Sequence, residues 1–107
     1  MTATTADLQE IYDIVSSIKK IAKDNFFLDI PTISLIRTRL LHLRVFIAYL
    51  EDAQDLFSVI DDFIEDTNLV ASNYLGNISI KSSIINLEHE FDNFKKKRDL
   101  YLYLFHL

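Results

Sequence analysis

Cysteine and tryptophan are absent from this 107-residue chain, and glycine and proline occur once each. Without cysteine there is no disulfide framework, no thiolate zinc site and no cysteine nucleophile. One glycine and one proline are too few for a turn-rich all-β fold or a disordered linker. The lone Gly76 also excludes glycine-rich phosphate loops, dinucleotide fingerprints and nucleophile elbows. No apolar stretch of about 18 residues is free of charge, so nothing is expected to span a membrane. The start of the chain lacks a basic segment leading into an apolar run, which reads as no signal peptide and a cytoplasmic or otherwise intracellular protein.

What the chain does have is apolar side chains, which make up half of it. At this length one helical domain covering residues 1–107 is expected, and folding should bury roughly two-thirds of the unfolded surface. Around Pro31 and Gly76 the apolar residues repeat with helical period. Leu8, Ile11, Val15, Ile18 and Ala22 step by three and four, with Thr4 or Thr5 placed to cap the helix. Ile33, Ile36, Leu40, Leu43, Ile47 and Leu50 form a strict heptad seam after Pro31, which suits the start of a helix. Leu35, Leu41, Val45, Phe46 and Tyr49 lie outside that seam, so the second helix is apolar on more than one side. The acidic cluster at residues 51–55 breaks the pattern, and Leu56, Ile60 and Phe63 resume it in a new phase. Ile80, Ile84, Leu87, Phe91 and Phe94 follow Gly76, with Asn77 or Ser79 as the expected cap. These patterns predict an all-α, antiparallel up-down-up-down four-helix bundle, with helices at about 5–24, 31–51, 55–74 and 78–106.

Charge is unevenly spread. The formal net charge is −5, and the stretch 51–66 holds Glu51, Asp52, Asp55, Asp61, Asp62, Glu65 and Asp66 with no base. Asp55, Asp62 and Asp66 share one side of the third helix and form a candidate docking face for a basic partner. No calcium loop is present, because these acids are not spaced around a glycine-bearing turn. An acidic balance disfavours nucleic acid, and Lys95-Lys96-Lys97-Arg98 is one short run that points all round its helix.

Catalytic and metal motifs are scarce. His42, His89 and His106 are too far apart for a two-histidine zinc motif on one helix. No cofactor and no metal are expected. Arg37-Thr38-Arg39-Leu40-Leu41-His42 places an arginine five residues before a histidine, and this resembles the motif of HEPN ribonucleases, small all-α domains that act as dimers. The resemblance implies that Arg37 stabilises charge on an RNA phosphate and His42 assists proton transfer or orientation. Five residues on one helix separate the pair by about 140°, so two copies would have to meet to converge them. The stretch from Leu40 to Ala53 is similar to the second helix of plant coiled-coil immune-receptor N-terminal domains. Glu51-Asp52-Ala53-Gln54-Asp55 departs from that family's acidic motif at Ala53 and Gln54, so no assignment follows.

The leading expectation is a non-enzymatic protein–protein interaction module that works as a homodimer. It rests on surplus apolar residues: Phe26, Phe27, Leu41, Phe46, Tyr49 and the run from Leu100 to Leu107. Tyr101 and Phe105 form a second stripe on the terminal run, which reads as an interface or as the edge of a longer chain. The ribonuclease built on Arg37 and His42 is the alternative.

Overall fold

The computed structural model describes residues 3–69 and 74–105, apart from the side chains of 69, 74, 75 and 100–105. Four α-helices make up an all-α bundle, with no strand among the described residues: α1 (Thr5–Asp24), α2 (Ile30–Ile47), α3 (Gln54–Leu69) and α4 (Tyr74–Phe105). A single turn of 3-10 helix, Glu51–Ala53, joins α2 to α3.

Helices α1 and α2 begin where the sequence can satisfy free N–H groups of a first turn. At α1 the Thr4 hydroxyl accepts from the Asp7 amide at 3.1 Å, and the Asp7 carboxylate accepts from the Thr4 amide at 2.8 Å. That reciprocal pair is a capping box. At α2 the Asp29 carboxylate accepts from the Thr32 amide at 2.9 Å, and Pro31 stands in the first turn, where it costs no hydrogen bond. The hydrogen bond holds the Asp29 carboxyl below its ordinary value.

Neighbouring helices run antiparallel, as the polar contacts show. Arg37 reaches Thr67 and Arg44 reaches Asp61, so seven residues forward on α2 correspond to six residues back on α3. Tyr12 lies beside Phe91, and Lys19 bonds Glu88, which fixes the same sense for α1 and α4. Ser83 bonds Asp66 and Lys97 bonds Asp55, which does so for α3 and α4. Helix α1 packs on α2 and α4, and α3 packs on the same two helices, so α1 and α3 occupy one diagonal of the square.

The core is the set of stripes legible in the sequence. Ile33, Ile36, Leu40, Leu43, Ile47 and Leu50 are all buried, as are Ile80, Ile84, Leu87, Phe91 and Phe94. Ile11, Val15 and Ile18 of α1 and Leu56, Ile60 and Phe63 of α3 close the other two sides. Burial of one such side chain contributes about 1.5–3 kcal/mol.

Three expectations are corrected. Helix α2 stops at Ile47 rather than near 51, because the chain turns at 48–50 and Leu50 is extended, dropping its side chain back into the core. Gly76 does not start a new segment: it lies buried inside α4 with no positive φ. Glycine costs about 1 kcal/mol relative to alanine within a helix, a penalty that the long helix absorbs. Asn77 is therefore no cap. Its buried side chain accepts from the Leu28 amide and donates to the Leu28 carbonyl, fastening the α1–α2 connection to α4. The end expected for α3 near 74 falls partly on 70–73, outside the described residues.

Helix α4 is the longest, with 32 residues, which is about 48 Å of helix. Near its C-terminal end Lys97 pairs with Asp55 and Arg98 with Asp52. The helix runs on to Phe105, seven residues past Arg98, so the molecule is elongated, 51 Å by 22 Å by 19 Å.

Candidate functional site

The acids of α3 divide into two groups. Asp61, on the α2 side, receives Arg44 Nε at 2.6 Å, and the same guanidinium stacks over the Phe57 ring at 5.0 Å. Asp55 and Asp66 turn toward α4, where Asp55 receives Lys97 Nζ at 3.3 Å and Asp66 accepts from Ser83 Oγ at 2.9 Å. Asp62 and Asp66 line an open groove of about 270 Å³ between α3 and α4, together with Ser83, Asn86, His89 and Glu90. The expected stripe of Asp55, Asp62 and Asp66 is thus on one side of the helix, yet two of its three members are already bonded to α4. Among the described residues no group of three or more His, Asp or Glu side chains is placed to hold a metal ion.

Arg37 and His42 do not converge. Arg37 is half-buried; its Nε donates to Thr67 Oγ1 at 3.1 Å and its Nη2 to the Thr67 carbonyl at 2.6 Å. The last carbonyls of a helix lack partners within it, so this guanidinium serves the C-terminal turn of α3. His42 is exposed, elsewhere on α2. The side chains of Tyr101 and Phe105 lie outside the described residues.

The basic run is also not uniform. Lys95, Lys96 and Lys97 are exposed, whereas the Arg98 side chain is only 11% exposed and sits 3.7 Å from Asp52. Asp52 additionally accepts from the Ala3 amide at 3.2 Å. One carboxylate therefore joins Ala3, which precedes the cap of α1, to the α2–α3 turn and α4.

Some of the apolar side chains left outside the core stand on two opposite faces. On the α2–α3 face stand Leu41 and Val45, the latter 64% exposed. Leu41 is four residues after Arg37 and three before Arg44, and both arginines reach across to α3. Residues three and four apart share a helix face, so Leu41 lies on that side, and Val45 continues the row. On the α1–α4 face stand Ile78 and Ile85, the latter 65% exposed. Ile85 is four residues after Lys81 and three before Glu88; Lys81 bonds the Phe26 carbonyl at 2.9 Å and Glu88 bonds Lys19 at 2.8 Å. That second bond raises the Lys19 ammonium above its ordinary value. Phe26, 95% exposed, lies under Lys81 at 5.5 Å from its ring centre. Phe46, expected among the surplus, is instead half-buried against the core.

The α1–α4 patch is absent from the sequence expectations. Its signal was the seven-residue step from Ile78 to Ile85, a second heptad row offset from the buried Ile80, Ile84 and Leu87. Comparison with protein-family models, curated proteins and solved structures finds no match to the chain.

Proposed function

We propose that this chain is a non-enzymatic helical interaction module that binds proteins, a second copy of itself among them. The observation that supports the reading is the amount of large apolar side chain left in water on a bundle whose core is already closed. Ile30, Val45, Tyr49, Phe26 and Ile85 are each more than 60% exposed. Contiguous apolar patches of more than a few hundred Å² on a monomer mark interaction sites. The acidic side of α3 adds selectivity for a basic surface, with Asp62 and Glu65 exposed beside the ion-paired Asp61.

Sedimentation of the full chain from low to high micromolar concentration tests it. Reversible association is expected within that range. A species that stays monomeric throughout would overturn self-association.

A further inference from the structure

We draw no further inference here: the strongest candidate, the open groove between α3 and α4 rimmed by Asp62, Asp66 and Glu90, rests on a cluster of acidic side chains alone, and nothing in the structure shows what occupies it.

Discussion

Arg37 shows how one residue's role depends on what its side chain meets. In the sequence it is half of an arginine–histidine pair; in the bundle it bonds the hydroxyl and carbonyl of Thr67. Hydrogen bonds from a charged donor contribute about 1.5–3 kcal/mol, so Arg37→Ala is expected to lower stability by about that amount. Denaturant unfolding measures it, and an unchanged midpoint would show that the contact is dispensable. His42→Ala should leave that midpoint where it is, since His42 is exposed. RNA cleavage by the wild type that vanished in His42→Ala would instead revive the catalytic reading. Asp29 allows a separate prediction. Its carboxyl is held below the ordinary value of 3.8 by the Thr32 hydrogen bonds. A depressed folded value means that its contribution is complete above that pH and is lost as the pH falls further. Asn caps a helix as well as Asp does, so Asp29→Asn should flatten the acid limb of a melting-temperature profile below about pH 4. A profile identical to the wild type would show that the cap does not titrate with folding.

At the scale of the helix, the seam of α2 carries the fold. Leu43 is wholly buried at its centre. Leu43→Asp would place a charge among apolar neighbours at a cost of several kcal/mol, against a total stability of about 5–15 kcal/mol. The variant is expected to unfold or to melt far below the wild type by circular dichroism; near-native melting would refute the packing. The helix stripes were legible in the sequence because burial on one side imposes a 3.6-residue period on composition. The ends were less so. Gly76 and Asn77 look like a break and a cap, and both sit within α4, since a polar side chain inside a helix can serve a distant segment as well as its own first turn. Thr67 and Ser83, both buried, were likewise invisible as partners of Arg37 and Asp66.

Across the whole molecule, Asp52 connects parts that are remote in sequence. It receives the Ala3 amide and faces Arg98, whose Nε is buried without a hydrogen-bond partner. Asp52→Ala would leave that guanidinium without its counter-charge, and a loss of about 1–3 kcal/mol is expected. Arg98→Leu in the same background should recover part of the loss, since replacing both members of a pair is milder than removing one. A double variant no more stable than Asp52→Ala alone would show that the pair is not what Asp52 supplies. What the sequence determined by itself was the class of fold: the count of helices, their buried stripes and the excess of acid on the third. Those follow from local spacing and composition, which every residue carries with it. The tertiary structure alone decided which charges are spent inside the bundle and which face outward. That depends on antiparallel register, which sets Asp61 against Arg44 and Asp66 against Ser83 while leaving Lys20, Lys23, Asp62 and Glu65 in water. Register comes from packing between helices, and no single helix encodes it.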